Sequence, residues 1–169
     1  MKLKSKLLVV ILVLIPILVS GQETTKVVSK GLTVSVQSAQ TDILVPFFLS
    51  GKFILAPVFQ FVQASDVGFD ISFGLFAKRF FIDNRNVRPY CGLKAGLGYF
   101  NPSSSGASSQ TDFAVGGAVG VEYFFNPNFS LGIEPQLNFY FSDDESDRFG
   151  NPGGTGINTA TALTMSIYF

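Results

Sequence analysis

Apolar residues alternate with polar or small residues along most of the chain from Phe69 to Phe169. The pattern is clearest from Phe129 to Ser142, where the odd positions are all apolar and the even positions are mostly small or polar. A period of two is that of a β-strand with one apolar face and one polar face. The pattern therefore predicts an all-β fold.

Turn-forming residues divide this pattern into eight predicted strands. The strands cover about 30–38, 42–50, 53–63, 68–81, 87–100, 111–125, 129–142 and 157–169. The links after the second, fourth and sixth strands are short, whereas 101–110 and 143–156 are long and polar. Consecutive hairpins pair neighbouring strands without a crossover, so we predict an eight-stranded antiparallel up-and-down barrel. An even number of strands places both chain termini at the same end of the barrel.

The two faces of the predicted strands differ sharply. Odd positions of the strands after residue 68 are apolar, with aromatic residues near both strand ends, and this set is predicted to face lipid. Arg79 is an exception that could extend to the headgroups. Pro57, Pro89 and Pro135 also fall on this face and predict local bulges, because proline removes a ladder hydrogen bond. Cys91 would face outward as a small, inert residue.

The even positions would line the lumen and include charges of both signs. An eight-stranded barrel is just wide enough for side chains to fill it, and buried charges must be paired. We therefore expect an internal ion-pair network near the short turns, formed by Lys78, Arg88, Lys94, Glu122 and Glu134. The network could be a gate for ions or a polar core that fixes the strand register, and the narrow lumen favours the polar core.

The N-terminus has the pattern of a secretory signal peptide. Lys2, Lys4 and Lys6 precede an apolar run from Leu7 to Val19, and small residues follow it. The run is shorter than the about 20 residues of a spanning helix. We expect cleavage after Gly21, so that 1–21 is the signal peptide, 22–29 a short periplasmic segment and 30–169 the transmembrane β-barrel.

Composition excludes several kinds of chemistry. Twelve acidic and nine basic residues follow Gly21, a net charge of −3 that argues against nucleic acid as a partner. The chain has no His, which removes the usual general base and the commonest metal ligand. We therefore predict no catalytic residues, no cofactor and no metal site. The acidic segment from Asp143 to Asp147 lacks the ordered spacing of a calcium loop and is expected to be solvated.

The alternating strand from Tyr90 to Phe100, the segment VGVEYFFNPNFSLGIEPQLNF at 119–139 and the ending TALTMSIYF at 161–169 resemble a known family. It comprises the small outer-membrane β-barrel proteins of Gram-negative bacteria, of the porin family and related to OmpX and the OmpA membrane domain. The resemblance implies an integral outer-membrane location, lipopolysaccharide and phospholipid as partners, and no shared catalytic residues. It also implies that the barrel-assembly machinery recognises the last strand, here Leu163, Met165, Ile167 and Phe169. We expect a monomer.

Four functions remain open on this basis. The first is a non-enzymatic barrel with a structural or surface-interaction role, in which the long loops form the outer face. The second is a narrow passive conduit for ions or small solutes. A lipid-modifying barrel enzyme is disfavoured because Ser50, Ser72 and Ser130 have no His to activate them. A soluble lipocalin-like carrier is disfavoured because it would need a polar outside and an apolar inside.

Overall fold

The computed structural model describes residues 30–37, 40–64, 68–82, 86–103, 108–146 and 150–169. The predicted signal peptide at 1–21 and the segment 22–29 lie outside the described residues. Among the described residues there is no helix long and apolar enough to cross a membrane.

Nine strand segments make up this described part of the chain. They are β1 (Gly31–Gln37), β2 (Gln40–Leu44), β3 (Phe47–Ser50), β4 (Phe53–Ala64), β5 (Gly68–Phe80), β6 (Val87–Pro102), β7 (Gln110–Asn126), β8 (Phe129–Phe141) and β9 (Thr155–Tyr168). From β4 to β9, each segment agrees with its predicted strand to within about two residues.

The sheet closes on itself as a barrel. From β4 to β9 each strand pairs antiparallel with the next along the chain, β9 pairs with β1, and β1 pairs with β2. Both β2 and β3 pair with β4, which completes the circle. Because β2 and β3 occupy one position in the sheet, the nine segments form an eight-stranded barrel, as predicted.

Two prolines explain why the second barrel strand is divided into β2 and β3. Pro46 lies between them, and Pro57 lies in β4 opposite the break. Each proline still accepts a ladder bond, from Gly31 (2.9 Å) and Val45 (3.0 Å) respectively, but neither can donate one. The register does not change across the break, since Leu44 faces Val58 and Phe47 faces Leu55.

The prediction of bulges at Pro57, Pro89 and Pro135 is wrong. The register runs without a shift through all three, which face Leu75, Val121 and Thr161. A proline loses its own donor, whereas its carbonyl remains in the ladder and keeps the strands aligned. The register shifts among the described strands fall instead at 48–50 and 124–126, each beside a tight turn.

Whether a residue number is odd or even decides which face of the strand its side chain occupies, as predicted. In β5 to β9 the odd positions are largely exposed on the outer surface and the even positions are mostly turned inward. Val119 and Leu163 are 60% and 62% exposed, whereas Glu122 and Ser166 are at most 1% exposed. Arg79 is exposed, and Cys91 faces outward half-buried.

Outward aromatic residues form two belts. We call the barrel end that carries the links at 51–52, 81–86 and 126–128 the turn side, and the opposite end the loop side. On the turn side, Phe125 packs against Tyr123 and Phe129, with ring centroids 4.9 and 5.4 Å away. On the loop side, the Phe113 and Phe141 rings lie 5.8 Å apart. Lys30 and Phe169 exchange backbone hydrogen bonds, so β1 and β9 meet on the turn side.

Closure between β1 and β9 can be tested by cross-linking. Val34 and Met165 are Cα partners across this seam and face outward. In a Cys91→Ser background, Val34→Cys with Met165→Cys should oxidise to a disulfide in the folded, detergent-solubilised protein, measured by non-reducing gel migration. Val34→Cys with Leu131→Cys is the matched control, because Leu131 faces the other side of Met165. That pair is separated by two strand spacings, roughly 10 Å, and should stay reduced. Equal oxidation of both pairs, or of neither, would contradict the closed barrel.

Candidate functional site

The lumen on the turn side is organised around one buried carboxylate. Glu122, on β7, has no exposed surface. Its oxygens accept hydrogen bonds from Lys78 of β5 (2.6 Å), Ser130 of β8 (2.5 Å) and Tyr168 of β9 (2.5 Å). Three donors from three strands satisfy most of the acceptor capacity of the carboxylate, which is the condition for burying such a group.

Lys78 is held equally closely. Its side chain is 9% exposed and forms an ion pair with Glu122. The same ammonium lies 4.6 Å from the Tyr90 ring centroid and 5.1 Å from that of Phe80, within the range of cation–π contacts. The ion pair holds Lys78 and Glu122 in place relative to each other. Removing one member of a buried ion pair typically costs about 3–5 kcal/mol of folding stability.

A second polar layer lies toward the loop side. The Tyr90 hydroxyl donates to Glu134 (2.7 Å), and the side-chain amide of Gln136 donates to the other oxygen of Glu134 (2.7 Å). The ammonium of Lys94 in turn donates to the amide oxygen of Gln136. A series of polar contacts therefore crosses the lumen from Lys94 through Gln136 and Glu134 to Tyr90.

The structure places the five charged residues of the predicted network in different contacts. Lys78 and Glu122 are joined directly, whereas Lys94 reaches Glu134 through Gln136. Arg88 is the Cα partner of Glu122 in the β6–β7 ladder, and its guanidinium lies 4.0 Å from the ring centroid of Phe124.

Sequence reasoning did not identify the hydroxyl groups that complete these contacts. Tyr90, Ser130 and Tyr168 each donate to a buried carboxylate. The sequence signal that could have identified them is their even position, which predicts a side chain that points into the lumen. Which inward side chains meet depends on the register between strands, and a single sequence does not state it.

Gly120 makes one of these contacts possible. Tyr90 faces Gly120 across the β6–β7 ladder, and its ring passes over that residue to reach Glu134 on β8. A Cβ atom at Gly120 would lie 2.5 Å from the Tyr90 ring and 2.6 Å from its hydroxyl oxygen. The absence of a side chain at Gly120 is therefore required for the second polar layer.

Aromatic side chains close the lumen below the ion pair. Phe80 packs edge-on against Tyr90 (5.7 Å between centroids) and Phe124 (6.1 Å). Phe124 stacks on Tyr168 (5.7 Å), which also contacts Phe48 (5.2 Å). Each ring except that of Phe48 is at most 5% exposed. Aromatic rings and the two polar layers together fill the turn-side half of the barrel.

The loop-side half is open by contrast. A cavity of about 370 Å³ extends from Lys94 and Ser72 to the rim at Gln37 and Tyr140. Gly74, Gly96 and Gly98 form part of its wall. We call this cavity the loop-side cup.

The start of the acidic loop is attached to the rim of the loop-side cup. Asp112, which is 2% exposed, accepts hydrogen bonds from the backbone of Asp143 (3.0 Å) and the hydroxyl of Ser146 (2.8 Å). Asp143 accepts bonds from the backbone of Thr111 (3.2 Å) and Glu145 (3.2 Å). In the part of the chain that the structure describes, no three His, Cys, Asp or Glu side chains cluster to hold a metal ion. Asp147 lies outside the described residues.

This closed meander, apolar outside and polar inside, has the architecture of transmembrane outer-membrane barrels. Residues 61–162 match the family model described as outer membrane protein beta-barrel domain. The match covers more than half of the chain, and the chain belongs to this family. A search of curated proteins found no match.

Solved structures support the same fold. The N-terminal β-barrel domain of Pseudomonas aeruginosa OprF is 17% identical, with a TM-score of 0.58, over 83% of this chain and 95% of that one. Neisserial surface protein A is 17% identical, with a TM-score of 0.56, over 83% and 93%. The outer membrane enzyme PagL is more distant, at 12% identity over 82% of this chain and 99% of that one, and its TM-score of 0.44 is too low to indicate a shared fold. At these identities the likeness is one of fold.

The close packing at Gly120 can be tested against a nearby glycine on the other face. Gly120→Ala would force its methyl group into the Tyr90 ring and should destabilise the barrel by about 1–3 kcal/mol. Gly117→Ala is the matched control, because nothing lies within 4 Å of a Cβ atom there. It should leave stability unchanged or raise it by up to about 1 kcal/mol. Urea unfolding followed by heat-modifiable gel migration would measure both, and equal effects would contradict the contact.

Proposed function

We propose that this protein is a non-enzymatic, integral outer-membrane β-barrel with a structural or surface-interaction role. Family membership supports the location, and so does an outer wall of exposed apolar side chains between two aromatic belts. The filled turn-side half of the lumen is the observation that carries the role. A barrel without a through-path presents its loops and outer wall to its surroundings rather than a channel.

The contacts inside the lumen argue against a conduit. A solute would have to cross the Lys94–Gln136–Glu134 layer, the Lys78–Glu122 pair and the aromatic layer in turn. Moving an ion through that region would require breaking buried charge contacts, which is energetically costly.

Chemistry and surface argue against the remaining alternatives. The chain has no His, and the Ser130 hydroxyl is committed to Glu122 inside the filled half. A serine without an adjacent base is a weak nucleophile, which disfavours a lipid-modifying enzyme. A soluble carrier would not expose side chains such as Ile157 and Phe61, at 68% and 59%.

Lipids and the assembly machinery are the partners that this proposal requires. Lipopolysaccharide and phospholipid would cover the outer wall. Along β9 and the residue that follows it, Leu163, Met165, Ile167 and Phe169 form an outward row, each at least 45% exposed. That row is what the barrel-assembly machinery would recognise, and the barrel would be a monomer.

Outer-membrane barrels have short periplasmic turns and longer external loops, so the loop side should face the outside of the cell and the turn side the periplasm. This orientation predicts which residues a reagent can reach from outside the cell. Glu145 lies in the loop after β8 and Pro127 in the turn after β7, and both are exposed. In a Cys91→Ser background, Glu145→Cys should react with a membrane-impermeant maleimide on intact Gram-negative cells. Pro127→Cys should react after the outer membrane is permeabilised and not before. The Cys91→Ser protein alone controls for background labelling. Reversed accessibility, or release of the folded protein from membranes by carbonate, would refute the proposal.

The filled turn-side half of the lumen predicts that the barrel does not conduct ions. Folded protein reconstituted into planar lipid bilayers should give no steady conductance of porin size, because both polar layers and the aromatic layer block the path. Heat-modifiable migration of the same preparation would establish that the barrel is folded. Steady open channels from the folded protein would support the conduit and overturn the proposed role.

A further inference from the structure

Arg79 places a positive charge on the lipid-facing wall of the barrel. It is exposed at an odd position of β5, and its Cα partners are Phe53 on β4 and Cys91 on β6. Phe81, the next outward residue toward the turn side, is 58% exposed. Two residues of a strand span about 7 Å, so Arg79 begins that far inside Phe81, and its long side chain can extend the guanidinium to the level of the headgroups.

No carboxylate on the outer wall balances this charge among the described residues. The Arg79 guanidinium forms no hydrogen bond or ion pair with another described residue. Glu122 and Glu134 lie inside the lumen, and the other described acidic residues belong to the loop-side half, namely Asp42, Asp70, Asp112, Asp143, Asp144 and Glu145. An arginine without a counter-charge on the lipid face destabilises a barrel, so the phosphate of a neighbouring lipid is the counter-charge that these surroundings offer.

Two further cations lie on the same arc of the turn-side rim. The backbone N–H of Phe80 donates to the carbonyl of Lys52 (2.7 Å), so the exposed Lys52 lies one strand away from Arg79. Lys30 is exposed, and its ammonium lies 5.5 Å from the ring centroid of Phe169. Lys30 bridges to β3, which pairs with β4, so the arc from Lys30 to Arg79 covers three strand spacings, about 15 Å. We call Lys30, Lys52 and Arg79 the cationic arc.

The charge of the described residues is separated between the two ends of the barrel. On the turn side Lys78 and Glu122 cancel, and the remaining charged residues are all basic, namely Lys30, Lys52, Arg79 and Arg88. Residues 83–85, which lie outside the described residues, contain one acid and one base and add no net charge. The turn-side rim therefore has a positive potential that attracts anions.

Net charge of the headgroup decides which phospholipid such a rim favours. A guanidinium can pair with phosphate through two parallel hydrogen bonds, and every phospholipid offers a phosphate. A zwitterionic headgroup also brings its own ammonium group, which the neighbouring lysines repel. An anionic headgroup brings no such charge, and clusters of basic residues at a membrane surface attract anionic lipids.

We propose that the cationic arc binds the headgroup of an anionic phospholipid, such as phosphatidylglycerol, in preference to a zwitterionic one. Arg79 would pair with the phosphate from the lipid-facing wall, and Lys52 and Lys30 would contribute charge from the rim. The inference makes the lipid contact proposed above specific. That the lipid belongs to the periplasmic leaflet rests on the proposed orientation, whereas the preference for an anionic headgroup does not.

Electron paramagnetic resonance of spin-labelled lipids tests the preference. The folded protein is reconstituted into phosphatidylcholine vesicles that contain a trace of chain-labelled phosphatidylglycerol or phosphatidylcholine, and the motionally restricted fraction gives their relative association. We expect phosphatidylglycerol to associate about threefold to fivefold more strongly at low salt, and about equally in 1 M NaCl. Equal association at low salt by inserted, heat-modifiable protein would overturn this inference and leave the proposed function intact. Protein that does not insert would overturn both.

Substitutions locate the contact. Arg79→Gln should remove at least half of the preference for phosphatidylglycerol, whereas Arg79→Lys keeps the charge and should keep most of it. Asp144→Asn is the control at the other end of the barrel, because it neutralises one exposed charge on the loop side and should not lower the preference. Lys52→Gln, in an exposed turn, gives a second test that does not alter the barrel wall and should also reduce the preference. An unchanged preference in both Arg79→Gln and Lys52→Gln, or an equal loss in Asp144→Asn, would refute the site.

Discussion

A carboxylate buried without exposure must find its donors inside the barrel, and in this protein that requirement links distant parts of the chain. Glu122 on β7 is contacted by Lys78 from β5, Ser130 from β8 and Tyr168 from β9. These contacts span the lumen, so a slip of one residue in any of the strands would turn a donor outward and leave a charge unpaired. The cluster around Glu122 therefore fixes the relative register of β5, β7, β8 and β9. It also occupies the space through which an ion would pass, so the same contacts account for both the fold and the closed lumen.

Alternation along the chain predicts much of this arrangement because side-chain direction in a strand follows parity alone. It gave the positions of β4 to β9, the outward set from Phe69 to Phe169 and the inward direction of Glu122 and Tyr168. It could not give the partner of each inward residue. That Tyr90 crosses Gly120 to reach Glu134 depends on the pairing of three strands, which is a property of the closed sheet. A glycine in the strand pattern could signal such a close approach, but it does not identify the side chain that approaches.

Proline shows a different limit of sequence reasoning. Pro57, Pro89 and Pro135 each remove a donor, and local reasoning converts that loss into a bulge. The ladder that pairs each proline with Leu75, Val121 or Thr161 keeps its register instead, because long neighbouring strands with many intact bonds hold it in line. The strand is interrupted where two such losses lie close together. Pro46 follows Val45 along the chain, and Pro57 lies opposite Val45 in β4. The cooperative sheet thus tolerates isolated missing bonds and divides where they are adjacent.

The same alternation produces two unlike halves of one lumen, and the difference lies in the size of the inward residues. On the turn side the inward positions hold Phe80, Tyr90, Phe124 and Tyr168, whose rings fill the space around the ion pair. On the loop side Gly74, Gly96 and Gly98 stand among acids and amides, and a cavity of about 370 Å³ remains. Asn138 Oδ1 meets no donor among the described residues, which is unfavourable for a buried acceptor, whereas both oxygens of Glu122 accept hydrogen bonds, so the turn-side half contributes more to the stability of the barrel than the loop-side half does.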